Sequence, residues 1–150
     1  MGKQFFQYAI APHKGGFSEA AVKQAGYNFN YPLRVVAATK DDISSSNLVL
    51  GSIKLEGPRN VVLETIKRAE DDAELHGHYP LTKRDGQSII LRVYESLGGS
   101  SNAKVVSSLP VKKAFKTNIL EDNEQELTVT NGEVAISLKP FELMSIRLQL

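Results

Sequence analysis

The sequence predicts an all-β fold, an antiparallel β-sandwich with one short helix near the N-terminus, and three observations predict it. From Leu33 onward, short blocks rich in β-branched and aromatic residues recur between Gly, Pro, Asn and Asp, as the strands of a sandwich or barrel do. Asn131-Gly132 joins two such blocks, and both residues tolerate the positive φ of a type I′ hairpin turn. In the last block Leu143, Ser145, Arg147 and Gln149 alternate with Met144, Ile146, Leu148 and Leu150, giving one apolar and one mixed face.

The elements follow in order. Lys3 to Ala11 carries Phe5, Phe6, Tyr8 and Ile10 in a short run stopped by Pro12, which reads as a strand entering a turn. Phe17 to Gly26 reads as a helix, with Ser18 as N-cap, Glu19 at the positive end of the dipole and Gly26 closing the last turn. Strands are then expected over 33–37, 47–55, 88–95, 103–109, 113–118, 126–130, 133–138 and 142–150. Residues 60–70 fit an amphipathic helix through Val62, Ile66 and Ala69, but the cluster Val61, Val62, Thr65 and Ile66 favours a strand. The charged, histidine-bearing stretch from Asp71 to Gln87 is expected to project from the sheet as a loop. No repeat or linker divides the chain, so residues 1–150 read as one domain.

Composition narrows the function classes. A chain of 150 residues buries about 70% of its unfolded surface, enough for a core without staples. Its formal charge of +1 comes from interspersed Lys, Arg, Asp and Glu, with no basic field to attract nucleic acid. Apolar runs fall far short of the roughly 20 residues that cross a bilayer, so no membrane partner is expected. The absence of cysteine excludes disulfides, thiolate metal sites and a Cys nucleophile, and together with the lack of an Asn-X-Ser/Thr acceptor suits a cytosolic origin.

Candidate chemistry is sparse. His76 and His78 alternate on an extended segment and could share a metal, yet no third ligand is positioned, so they read as solvated loop residues. Asp41-Asp42 and Asp71-Asp72 are the carboxylate doublets a glycosidase would need. Both lie in polar loops without the apolar surroundings that raise an acid's pKa, and both read as solvated charges. Gly51-Ser52 and Gly99-Ser100 lack the second glycine of a nucleophile elbow. Neither Gly15-Gly16 nor Gly98-Gly99 is followed by the Gly-Lys-Ser/Thr of a phosphate loop. No catalytic or metal-binding residue is therefore assigned. His13 and Lys14 are the candidate substrate-binding residues, the first a proton carrier or sugar partner and the second a ligand for an oxygen, although they also suit a purely structural turn.

That turn, Phe6-Gln-Tyr-Ala-Ile-Ala-Pro-His-Lys-Gly15, resembles the one that opens the C-terminal region of glycoside hydrolase family 38 α-mannosidases. The resemblance continues through Glu19-Ala-Ala-Val-Lys-Gln-Ala-Gly-Tyr27, Asn30-Tyr-Pro-Leu33, the stretch from Asn60 to Glu70, Ile90-Leu-Arg-Val-Tyr-Glu95, Thr117-Asn-Ile-Leu-Glu121 and Leu138-Lys-Pro-Phe-Glu142. It spans almost the whole chain and is closest to the cytosolic branch, which includes vacuolar enzymes of fungi. The resemblance implies a sandwich packed on an α/β catalytic domain that hydrolyses terminal α-mannose with retention, using an aspartate nucleophile and a zinc ion. No segment here matches the motifs that carry those groups. No cofactor is thus expected in this chain, with zinc in the catalytic domain of a longer enzyme. Arg92, Tyr94 and Glu142 read as framework. The implied partners are that catalytic domain, further copies of the chain and, indirectly, mannose-containing glycans, in the cytoplasm or the vacuole. An uncovered apolar patch is expected where the catalytic domain would pack. A stand-alone carbohydrate-binding sandwich is the competing reading, weakened by the absence of tryptophan.

Overall fold

A computed structural model describes residues 2–17, 22–33, 35, 37, 53–72 and 82–150. The chain divides into two units, residues 1–48 and 49–150. In the first, helix α1 runs from Val22 to Asn30. Gly26 therefore lies inside the helix and does not end it. The stop comes from Pro32, which cannot donate a helical hydrogen bond and disfavours the helical conformation just before it. The last main-chain bond, Tyr31 N to Tyr27 O at 2.8 Å, and the Asn30 side-chain amide on Gly26 O at 2.8 Å close that end. The Tyr27 and Tyr31 rings stack across the same turn, centroids 6.1 Å apart.

The strand expected over Lys3 to Ala11 is not formed. A strand needs a neighbour to take its N–H and C=O groups, and this segment pairs with no described strand. Phe5, Phe6, Tyr8 and Ile10 stand in solvent. Leu33, Val35 and Ala37 are likewise not in strand, while Arg34 and Val36 lie outside the described residues.

The second unit is the sandwich. Its strands are β1 (Ile53–Glu56), β2 (Val61–Arg68), β3 (Ser88–Glu95), β4 (Ser101–Ser107), β5 (Lys113–Thr117), β6 (Asn123–Leu127), β7 (Val129–Thr130), β8 (Glu133–Leu138) and β9 (Leu143–Gln149). One sheet has the order β1-β4-β8-β7 and the other β2-β3-β9-β5-β6, with every described ladder antiparallel. Residues 60–70 do form a strand, as their β-branched cluster favours, with a bulge between Leu63 and Thr65. The single strand expected over 126–130 is two strands in different sheets. The chain crosses from one sheet to the other at Thr128, which moves its hydrogen-bonding partners from β5 to β8. Asn131 (φ 51°) and Gly132 (φ 78°) both take positive φ and form the β7–β8 turn, as their sequence requires.

The core lies between the sheets. Ala103 and Val105 of β4 and Val134, Ile136 and Leu138 of β8 face Leu91 and Val93 of β3, Ala114 of β5 and Met144, Ile146 and Leu148 of β9. The alternation read from residues 143–150 thus selects the inner face correctly. Its mixed face is covered in the middle, where Ser145 and Arg147 are also buried.

Candidate functional site

The pairing register fixes what lies on the outer face of the five-stranded sheet. Arg147 of β9 stands opposite Ile90 of β3 and Phe115 of β5, and Ser145 stands opposite Arg92 and Thr117. Two turns lie over this face, residues 69–72 after β2 and 118–122 after β5. Arg147, with 2% of its side chain exposed, gives Nη1 to Asp71 Oδ1 at 2.7 Å and Nη2 to Asp71 Oδ2 at 3.1 Å. Its Nη2 also donates to the carbonyl of Glu121 at 2.7 Å. Arg84 pairs with Asp71 from the solvent side.

Glu121 is the second anion of the cluster. Its carboxylate is buried, takes the main-chain N–H of Glu70 at 2.8 Å and pairs with Lys67 Nζ at 2.8 Å. Lys67 also pairs with Glu70. Asp72 is buried beside these groups, held by Arg68 Nη2 at 3.0 Å and by the main-chain N–H of Ser88 at 3.2 Å. Asp72 and Arg84 form an isolated β-bridge that ties down both ends of the stretch whose middle, residues 73–81, is not described.

The doublet Asp71-Asp72 is therefore not a pair of solvated loop charges. The physical reason is the arginine at position 147. A guanidinium on a covered sheet face needs a counter-charge, and the turn after β2 brings Asp71 to it. The signal in the sequence is an arginine between the apolar Ile146 and Leu148 of the final strand.

A second carboxylate acts as a hub at the end of β3. Glu95, 1% exposed, accepts hydrogen bonds from Asn60 Nδ2 at 2.7 Å and from the N–H groups of Leu97 (2.8 Å), Gly98 (2.7 Å) and Phe141 (3.0 Å). It joins the start of β2, the β3–β4 turn and the β8–β9 turn. The sequence marks it only as a glutamate ending a strand before Gly98-Gly99. Glu142 pairs with Lys116 at 2.8 Å and accepts the N–H of Lys139 at 2.8 Å, beside a shallow recess of about 330 Å³ lined by serine, asparagine, lysine and leucine residues.

These contacts set the proton affinities. Burial pushes the Glu95 carboxyl up, but the four hydrogen bonds from Phe141, Leu97, Asn60 and Gly98 outweigh it and bring it down to about 2. Burial likewise opposes ionisation of Asp71 and is outweighed by Arg147 and Arg84, so this carboxyl also lies below its ordinary value. Glu142 is lowered by Lys116 and by the Lys139 N–H, and Glu70 by Lys67. All four move downward. Glycoside hydrolysis needs the reverse for one partner, an acid held protonated near neutral pH beside a second carboxylate.

The zinc implied by the resemblance does not fit this donor set. Among the described residues no three His, Asp or Glu side chains gather to hold an ion, and the buried carboxylates are committed to arginine, lysine and main-chain N–H groups. His13 and Lys14 are exposed in the first unit, at a bend with Gly15 at φ 84°. His76, His78, Asp41 and Asp42 lie outside the described residues.

The fold and this site now have relatives to be set beside. Residues 81–146 match the glycosyl hydrolases family 38 C-terminal beta sandwich domain. The chain is 40% identical over 160 residues to an alpha-mannosidase of Saccharomyces cerevisiae, covering 99% of this chain and 14% of that protein. It is 32% identical to alpha-mannosidase 2C1 of Homo sapiens, covering 99% and 13%, and 29% identical to alpha-mannosidase G of Dictyostelium discoideum, covering 98% and 12%. Over its whole length the chain matches the C-terminal region of the glycosyl hydrolase family 38 α-mannosidases. It spans about one-seventh to one-eighth of the length of these relatives.

Proposed function

We propose that these 150 residues are a non-catalytic part of an α-mannosidase that removes terminal α-mannose in oligosaccharide and N-glycan breakdown, and that they support a catalytic domain encoded in the same polypeptide. One observation carries this reading. The carboxylates of Glu95, Asp71 and Glu121 are taken up by structural partners, with Glu95 brought down to about 2 and Asp71 lowered from its ordinary value, and so serve to join turns to strands. Zinc belongs with the catalytic domain, which supplies the reacting groups. The enzyme works in the cytoplasm or the vacuole, and its copies associate.

His13 and Lys14 are the side chains of this chain assigned to sugar contact, supported by their exposure at the Gly15 bend. Replacing both with alanine in the longer polypeptide raises KM for a terminal α-mannoside if they touch the sugar and leaves it unchanged if they only shape the turn.

The supporting role is tested by removing these 150 residues from the longer polypeptide. The temperature at which mannosidase activity is lost falls, and the chain added back as a separate protein restores part of it. Unchanged activity and heat resistance after the deletion would refute the role.

A further inference from the structure

Five large apolar side chains stay in solvent around one end of the five-stranded sheet: Leu97 at 46% exposure, Ile119 at 62%, Leu120 at 80%, Phe141 at 72% and Leu143 at 51%. Leu143 is the register partner of Tyr94, and Leu97 lies three residues beyond Tyr94. The Phe141 ring lies over Gly98, so close that a Cβ on Gly98 would come within 2.8 Å of it. Arg92, two residues before Tyr94, donates to the carbonyl of Ile119 at 3.4 Å and so holds the Ile119-Leu120 turn over the same sheet face.

The turns that display these side chains are built at a cost. Phe141 sits at φ 56° and Glu121 at φ 71°, a left-handed conformation that bulky residues avoid. A buried carboxylate fixes each turn. Glu95 holds the N–H groups of Leu97, Gly98 and Phe141, and Glu121 ties its own turn to Glu70 and Lys67. Incidental surface apolar residues on a slack loop need no such anchoring. A prearranged apolar ridge loses less freedom when a partner covers it.

We infer that the ridge formed by Leu97, Ile119, Leu120, Phe141 and Leu143 is a docking surface for the remainder of the α-mannosidase polypeptide. The inference rests on the function proposed above and adds the surface through which the support is given. The occupant follows from length and tethering. More than four-fifths of each relative lies outside the part matched here, although the chain matches them over 98–99% of its own length. A stable contact between separate copies buries about 800 Å² on each side, more than a ridge of five side chains offers. A partner on the same polypeptide is present at millimolar effective concentration and docks on a smaller surface.

Hydroxyl-radical labelling read by mass spectrometry tests this in two samples, the 150-residue chain and the longer polypeptide that contains it. Leu120 and Phe141 are expected to label at least fivefold less in the longer polypeptide. Equal labelling in a longer polypeptide that still hydrolyses α-mannosides would overturn the docking surface and leave the proposed function standing. A longer polypeptide without mannosidase activity would instead remove the function on which the inference rests. Protection of the 150-residue chain that grows with its concentration would assign the ridge to a second copy, and protection already complete in the dilute chain would show it covered from within. Either result overturns the inference.

Discussion

Arg147 and Asp71, 76 residues apart in sequence, meet in a two-pronged ion pair of 2.7 and 3.1 Å on the outer face of the five-stranded sheet. The pair joins the last strand to the turn after β2, and Arg147 reaches on to the carbonyl of Glu121. Its value for stability lies in what remains when one member is removed.

Asp71→Ala leaves a buried guanidinium without its counter-ion and is expected to cost about 3 kcal/mol. Arg84→Ala removes the outer partner of the same carboxylate, is 44% exposed at that side chain, and should cost less than about 1 kcal/mol. Urea unfolding at neutral pH measures both. Equal losses would show that Arg147 does not depend on Asp71.

Acid unfolding should report Glu95. Its carboxyl is brought down to about 2 from an ordinary value of 4.5, so its contribution is fully present above pH 4.5 and lost as the pH falls from 4.5 through 2. Asp71 and Glu142 shift in the same direction and share the acid limb. Glu95→Gln should therefore flatten the fall in denaturation midpoint below pH 4.5 without abolishing it. An unchanged slope in the variant would remove Glu95 from this role.

Two glycines with left-handed φ should respond unequally to alanine. At Gly132 a Cβ would meet the carbonyl oxygen of Ser107 at 2.5 Å, a main-chain atom inside a β ladder that cannot move alone. At Gly98 it would meet the largely exposed Phe141 ring, which can swing away. Gly132→Ala is expected to cost about 3 kcal/mol or more and Gly98→Ala about 1 kcal/mol. Thermal unfolding of the two variants gives the order, and the reverse order would contradict it.

Ile146 is fully buried between the sheets, whereas Ile66 on the edge strand β2 is 52% exposed. Ile146→Ala should cost about 4 kcal/mol by loss of transfer free energy and creation of a cavity, and Ile66→Ala about 1 kcal/mol or less. Chemical denaturation of the pair checks that the core lies where the register places it.

The sandwich was legible in the sequence where local chemistry and burial agree. Asn131-Gly132 can only turn, residues 133–138 alternate cleanly, and the β-branched cluster of residues 61–66 outweighed a helical reading of the same stretch. Legibility failed where long-range contacts decide. Nothing near Asp71 shows that an arginine 76 residues later will bury it, and nothing near Glu95 shows that Phe141 will bring it an N–H. Gly26 looked like a helix end because its permissive backbone suits a cap, but the rigid Pro32 decides where α1 stops. The aromatic run before Pro12 has the composition of a strand, but composition alone supplies no neighbour to pair with.

The most direct measurement is turnover of a terminal α-mannoside by the purified 150-residue chain with zinc added, beside the longer polypeptide under the same conditions. Mannose release by the longer polypeptide, and none above the blank by the chain alone, is the expected result. Release by the isolated chain that disappears with Asp71→Asn or Glu95→Gln in a variant that remains folded would contradict it, because a carboxylate assigned here to holding turns against strands would then be cleaving the sugar.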